Sequence, residues 1–260
     1  MNRRPTHTLA TELRDFPEWH RGIRHYAVWT LPVDDQAWQQ RLAHLQHRLS
    51  PFLHPGYVRQ PHITLFAAGL VDNRHFPPDR ARQQAHVLRQ LELSAIQLRA
   101  TAVSTFTTAP WLGIQPVDNS LLYIRQALAK VIPEDAPADH YQPHITLGFY
   151  QQAYALEVIH THLAALNHTL PPLPPLSIKR VELCYYATHE MQGRLTVADS
   201  VELNTPTRAD ASPEALDPLE AIKQMRKDQL RVCALKQQAE LERLITDAAP
   251  TNEDSPTPRS

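Results

Sequence analysis

Cysteine is scarce in this chain of 260 residues: Cys184 and Cys233 are the only two. Two are too few for a disulfide framework, and their spacing fits no cysteine-based zinc site. A reducing compartment is implied. Glycine is rare beside proline, 6 against 23, which disfavours glycine-rich nucleotide folds. No phosphate-loop or dinucleotide fingerprint occurs, so ATP use of the Walker type is not expected. After Met1-Asn2-Arg3-Arg4 no apolar run reaches signal-peptide length, and none anywhere reaches membrane length. A cytoplasmic protein with no membrane partner is expected. An excess of one charge is missing too: 26 basic against 27 acidic side chains leave a formal −1, so no broad basic field exists to hold a duplex. Any nucleic-acid contact must be local. Only five of the basic residues are lysine. The arginines can hold phosphate bidentately, although a general arginine bias accounts for them equally well.

What is abundant is histidine, fifteen residues in all, between His7 and His189. Against that background a lone histidine says little. His44, His47, His86, His160 and His162 fit solvated helix faces. Residues 1–21 are polar, contain Pro5 and Pro17, and read as an N-terminal arm. Tyr26–Leu31 reads as a buried strand, and Asp34 or Asp35 can cap a helix to about Leu49 with Trp38, Leu42, Leu45 and Leu49 on one face. A strand from Pro61 to about Ala68 follows, then a helix after Pro77-Pro78 with Ala81, Ala85, Leu88 and Leu91 on one face. Strands are expected within 94–108, where Ile96, Leu98, Ala100 and Ala102 alternate, and over Trp111–Val117. Asp118 or Asn119 then caps a helix to about Val131, with a strand from Pro143 to Tyr150, a helix near 155–167, and strands near 176–187 and 194–203. Residues 205–218 read as a linker, 219–246 as a long helix and 247–260 as a disordered tail. Arg226 and Gln237 interrupt the apolar seam of that helix. Packing on the core is therefore favoured over a dimeric coiled coil, and a monomer over an assembly.

The decisive feature is a hexapeptide. Gln60-Pro61-His62-Ile63-Thr64-Leu65 recurs unchanged as Gln142-Pro143-His144-Ile145-Thr146-Leu147, and chance would produce such a repeat in roughly one sequence of this composition in several hundred. Each copy follows a loop carrying a tyrosine, Tyr57 or Tyr141, and closes a helix-loop-strand passage, so the chain reads as two related halves. Proline without an N–H marks the start of each strand. Side chains then alternate. His62, Thr64 and Phe66 share one face opposite Ile63, Leu65 and Ala67, and His144, Thr146 and Gly148 share one opposite Ile145, Leu147 and Phe149. An imidazole and a hydroxyl about 6.5–7 Å apart along a strand can address one tetrahedral anion together, with Gly148 leaving room beside it. A solvated strand face tolerates His and Thr once, but has no need of the same pair twice.

Transfer at phosphorus from a ribose hydroxyl needs one group to take a proton and another to give one. Two imidazoles with reference pKa near 6.5 supply both, and threonine hydroxyls can donate to the non-bridging oxygens. Neither motif brings a carboxylate, and threonine is a poor ligand for transition metals, which argues against a metal site on His62 and His144. On these residues the sequence resembles the 2H phosphoesterase superfamily, named for two His-x-Thr/Ser motifs, and most closely its 2′-5′ RNA ligase or RNA 2′,3′-cyclic phosphodiesterase branch. The resemblance covers about residues 22–204. It implies an α+β, two-lobed fold of pseudo-twofold symmetry, with antiparallel sheets facing a central groove and helices outside. It implies His62, Thr64, His144 and Thr146 as catalytic residues, no cofactor or metal, and RNA ends or small cyclic nucleotides as substrates opened to 2′-phosphomonoesters. For Tyr57, Arg59 and Tyr141 two readings stand. A base could stack on either tyrosine and Arg59 could hold a phosphate, or the loop residues simply pack on the rim. A non-catalytic module that binds RNA ends or nucleotides in the same groove is the alternative to the enzyme.

Both motifs and every expected strand precede residue 205, so deleting residues 206–260 is expected to leave cyclic-phosphate opening per folded molecule largely intact. Loss of the helix should lower thermal stability by up to a few kcal/mol, at about 25 cal/mol per Å² of apolar surface exposed. Product formation and unfolding of residues 1–205 beside the full chain check this; a stable truncation slowed a hundredfold would make the tail part of the site.

Overall fold

The computed structural model describes residues 5–135 and 141–204. The expected linker 205–218, helix 219–246 and tail 247–260 lie outside the described residues. Strand β1 (His25–Pro32) leads to helix α2 (Gln36–Leu49), which follows a short helix α1 (Pro17–His20). The Asp35 side chain caps α2 by accepting from the Trp38 N–H at 3.1 Å, and Trp38, Leu42, Leu45 and Leu49 form its buried face. Next come β2 (His62–Leu70), α3 (Pro78–Gln90), β3 (Ile96–Thr105) and β4 (Pro110–Pro116). Helix α4 (Ser120–Val131), β5 (His144–Thr146), α5 (Leu156–Thr169), β6 (Leu176–Ile178), β7 (Arg180–Ala187) and β8 (Thr196–Glu202) complete the order. At α4 the carboxylate of Asp118 receives the Ser120 N–H at 2.9 Å, while Asn119 makes no side-chain cap.

The strands form two antiparallel four-stranded sheets, β2-β1-β7-β8 and β5-β4-β3-β6. Counting from the edge strand β2 or β5, β1 and β4 stand second, β7 and β3 third, and β8 and β6 last. The passages β1-α2-β2-α3 and β4-α4-β5-α5 are thus the two halves that the hexapeptide marks. One apolar core joins both lobes, with Trp29, Leu31, Ile63 and Leu65 from the first sheet and Leu112, Ile114, Ile145 and Leu147 from the second. A smaller cluster of Tyr26, Val28, Leu70, Cys184 and Leu195 lies on the opposite face of the first sheet.

Several expected details are corrected. The segment 176–187 is not one strand: it divides at Lys179, with β6 pairing β3 in one sheet and β7 pairing β1 in the other. An extended backbone carries no mark of which sheet it joins, so sequence cannot show this crossing. The strand expected over 143–150 ends at Thr146. Gly148 there takes φ +147, and Leu53 Cδ1 lies 2.9 Å from where a Cβ would stand. Gly148 therefore makes room for Leu53, not for a ligand. Phe66 leaves the His62/Thr64 face because β2 slips register against β1 between Thr64 and Phe66, burying Leu65 and Phe66 in succession. A similar irregularity in β3 between Ala100 and Val103 puts Val103 in the core in place of Ala102.

The arm is packed. Its Thr8 is fully buried, donating from its N–H to the Tyr154 carbonyl at 2.8 Å, and Thr11 N–H reaches the Tyr150 carbonyl at 2.9 Å. Farther on, the Trp19 ring lies 5.5 Å from that of Tyr26. Residues 7–19 thus strap the second lobe to the first.

On α3 the buried face is Gln84, Ala85 and Leu88, so a polar side chain sits where periodicity offered only apolar ones. Gln84 accepts from Trp29 Nε1–H at 2.7 Å and donates to the Leu128 carbonyl of α4 at 3.1 Å. It links strand, helix and the neighbouring lobe. Gln84→Leu strands the buried indole N–H, and a loss of about 1–3 kcal/mol in urea unfolding is expected. An unchanged midpoint would mean that the indole needs no partner.

Candidate active site

The two motif strands are edge strands of different sheets, yet β2 and β5 lie against each other. His62 and Thr64 pair with Pro32 and Thr30 of β1, and His144 and Thr146 with Gly113 and Trp111 of β4. Ile63, Leu65, Ile145 and Leu147 point into the core, which leaves the histidines and threonines partly buried on the other face.

The repeated residues produce repeated bonds. Pro61 and Pro143 each accept through their carbonyl, from Val33 N–H and Ile114 N–H respectively, both at 3.1 Å. His62 Nδ1 lies 2.8 Å from the Gln60 carbonyl, and His144 Nδ1 lies 2.8 Å from the Gln142 carbonyl. A carbonyl can only accept, so both Nδ1 atoms carry hydrogen, and Nε2 is the nitrogen that titrates in each ring. The pair can therefore accept and donate protons through two like atoms, beside two hydroxyls that can donate to an anion.

Their surroundings differ. Burial pushes the His62 pKa down to about 4, opposed by the bond to Gln60 and aided by the charges of Arg59 and His144. Burial also lowers His144, opposed by the bond to Gln142. Its ring meets Phe106 edge-on at 5.0 Å and Trp111 at 5.9 Å. Sequence reasoning missed both aromatics as site residues, because only the β4–β5 register brings Trp111 opposite Thr146.

Arg59 is held in place: its Nε–H donates to the Gly193 carbonyl at 3.0 Å and its Nη2 to that of Met191 at 2.9 Å, while the guanidinium lies 4.7 Å from the Tyr186 ring centre. Tyr57 meets Phe149 edge-on at 5.8 Å. Tyr141 donates its hydroxyl to the Thr64 carbonyl at 3.0 Å, and the Arg125 guanidinium covers one ring face at 3.9 Å. That bond ties the loop before the second motif to the strand of the first. Arg125 also pairs with Glu134 at 2.6 Å, and Glu134 accepts from the Ala67 N–H at 3.0 Å. Among the described residues no group of three or more His, Cys, Asp or Glu stands at metal-binding spacing. No described helix is long and apolar enough to cross a membrane.

The sequence model of the 2′-5′ RNA ligase superfamily matches residues 33–190, more than half of the chain and both motifs. The chain belongs to the 2′-5′ RNA ligase superfamily. No match exists among curated proteins. Solved structures similar to it include Escherichia coli LigT in apo form, at 13% identity, 71% of this chain, 100% of that one and TM-score 0.49. LigT complexed with 3′-AMP gives 15%, 71%, 100% and 0.49. TT0787 of Thermus thermophilus gives 14%, 70%, 100% and 0.45. As a superfamily member, the chain is of a phosphoesterase and RNA ligase-like kind. The superfamily match starts at residue 33, so the strap of residues 7–19 stands outside it.

The lowered pKa values set an expectation for the free protein. At pH 7 both imidazoles are neutral, and protons enter only as pH falls below the ordinary histidine range toward 4, the value for His62. The unfolded chain binds those protons earlier, so the pair's contribution to stability is present at pH 7 and lost as pH falls from about 6.5 through that window. An NMR titration of the Cε1–H signals, assigned with His62→Gln and His144→Gln, should show both below 6.5, with His62 the lower. Either one at or above its unperturbed value would contradict the burial argument.

Proposed function

We propose that this chain is a phosphoesterase that opens 2′,3′-cyclic phosphates of RNA ends or nucleotides to 2′-phosphomonoesters, without ATP or metal. The observation that carries the reading is the matched pair of imidazoles, each with Nδ1–H fixed on the carbonyl two residues back. Fixed Nδ1 leaves Nε2 of one ring to take a proton from water while water oxygen bonds to phosphorus. Nε2–H of the other gives its proton to O3′ as the P–O3′ bond breaks. The sum is one water added and one ester bond opened. Thr64 and Thr146 hydroxyls donate to the non-bridging oxygens.

The charge of Arg59 disfavours a second cation at His62, which supports His62 as the base; His144, neutral at pH 7 in the free protein, takes up the acid's proton when the phosphate anion binds beside it. Replacing water by a ribose 5′-hydroxyl as the attacking group, with the P–O3′ bond breaking as before, turns the same pair to 2′-5′ ligation; bulk water makes hydrolysis the default.

The test is product formation from 2′,3′-cyclic mononucleotides and oligonucleotides in the presence of a chelator. His62→Ala and His144→Ala should each lower turnover by about 10²–10⁴, and the double variant should lose far less than the product of the two. A phosphodiester with a p-nitrophenolate leaving group needs no acid, so on it His144→Ala should recover most of its rate and His62→Ala none. Full activity of either folded single variant on the cyclic substrate would sink the mechanism. Product binding without turnover would make this a binding module instead.

A further inference from the structure

Beside Arg59 the molecule has an open cleft of about 430 Å³ lined by Phe16, Trp19, Arg59, Phe149 and Tyr186. Behind its wall runs a row of rings. The Arg59 guanidinium lies over Tyr186 at 4.7 Å, Tyr186 stands 5.3 Å from Tyr26, and Tyr26 stands 5.5 Å from Trp19. At one end of the row stands Arg59, three residues before His62 in the segment that leads into β2. The other end is the N-terminal strap, and Phe149, three residues beyond Thr146, supplies the side that belongs to the second lobe.

Trp19 is 40% exposed although it is among the largest apolar side chains in the chain. Its backbone is secured by α1, and Arg21 N–H closes that turn on the Pro17 carbonyl at 2.8 Å. The ring is thus held on the cleft without being covered. A flat, apolar occupant gains most from such walls, since aromatic faces and a guanidinium plane both stack on a π-system. A volume near 430 Å³ lies in the ordinary range for small-ligand pockets. Glu190, also on the lining, supplies a carboxylate able to accept from an exocyclic amine.

We propose that the strap completes a nucleobase cleft: Trp19 and Phe16, with Tyr186 and Arg59, stack the base of the nucleotide whose phosphate lies between His62 and His144. The assignment rests on the function proposed above and extends it. Recognition of the base then depends on a segment outside the part of the chain that matches the superfamily, while the phosphate is held by the motifs alone. The strap also crosses from lobe to lobe, so an occupied cleft touches both.

The test uses the full chain and two probes, 2′-AMP and inorganic phosphate, by calorimetry and by tryptophan emission. Wild type should bind 2′-AMP more tightly than phosphate. Phe16→Ala/Trp19→Ala should weaken 2′-AMP by about 5- to 150-fold, the range for loss of one stacked base, and leave phosphate unchanged. Trp19→Phe should keep most of the 2′-AMP affinity but lose the emission change that 2′-AMP produces and phosphate does not. Circular dichroism and thermal unfolding confirm folding; if the double variant is unfolded, Phe16→Ala alone and Trp19→Phe carry the test. Unchanged 2′-AMP affinity in the folded strap variants, alongside active cyclic-phosphate opening, overturns the cleft and leaves the enzyme reading standing. Failure of wild type to bind 2′-AMP more tightly than phosphate overturns the cleft as well. Absence of turnover with intact 2′-AMP binding that still depends on Trp19 would support the cleft and remove the enzyme.

Discussion

The arrangement depends on how the free edge of β2 is satisfied. An edge strand presents unpaired carbonyls and N–H groups, and an unmet buried one costs about 1–3 kcal/mol. Here the second lobe meets them. Tyr141 donates to the Thr64 carbonyl, Arg125 to that of Leu65, Glu134 accepts from Ala67 N–H, and Asp135 N–H donates to the Ala67 carbonyl. Tyr26 adds a bond from its hydroxyl to Asp135 at 2.7 Å. These bonds bind the very strand that carries His62 to the lobe that carries His144. The spacing of the two imidazoles is therefore set by hydrogen bonds to the β2 backbone, most of them from side chains of the second lobe, supported by a core common to both lobes.

Identical hexapeptides need not make identical chemical environments. The prolines, the Nδ1 bonds and the buried isoleucines and leucines match copy for copy. What surrounds them does not. The Gln60 side chain clamps Leu195 through two bonds, to its carbonyl at 3.1 Å and from its N–H at 2.9 Å, whereas Gln142 is exposed. His62 has a guanidinium near it and His144 has two aromatic rings. Equal rings in unequal fields differ in proton affinity.

The strap adds a different kind of asymmetry. It carries little apolar periodicity, yet its backbone bonds at Thr8 and Thr11 dock it across the second lobe before Trp19 meets the first. Short polar segments of this sort gain their order from hydrogen-bonding groups already presented by a folded surface. That is why no pattern within residues 5–21 announces it. The walls around Arg59 are consequently assembled from segments far apart along the chain.

By itself the sequence determined a great deal here. Repetition of Gln-Pro-His-Ile-Thr-Leu marked the halves, proline and period-two alternation put His62, Thr64, His144 and Thr146 on one face of each strand, and the cap and apolar face of α2 were legible because helix periodicity is a local property. Gln84 was not, since a polar residue on an apolar face is explained only by Trp29 and the Leu128 carbonyl, distant along the chain. Nor were the slip at Leu65, the crossing at Lys179 and the loss of strand at Gly148, which arise from pairing register and from Leu53 filling space. Only the tertiary structure decided which charges and rings stand beside each histidine, because Arg59, Phe106 and Trp111 reach their places through sheet register and loop docking, and no local interaction encodes either.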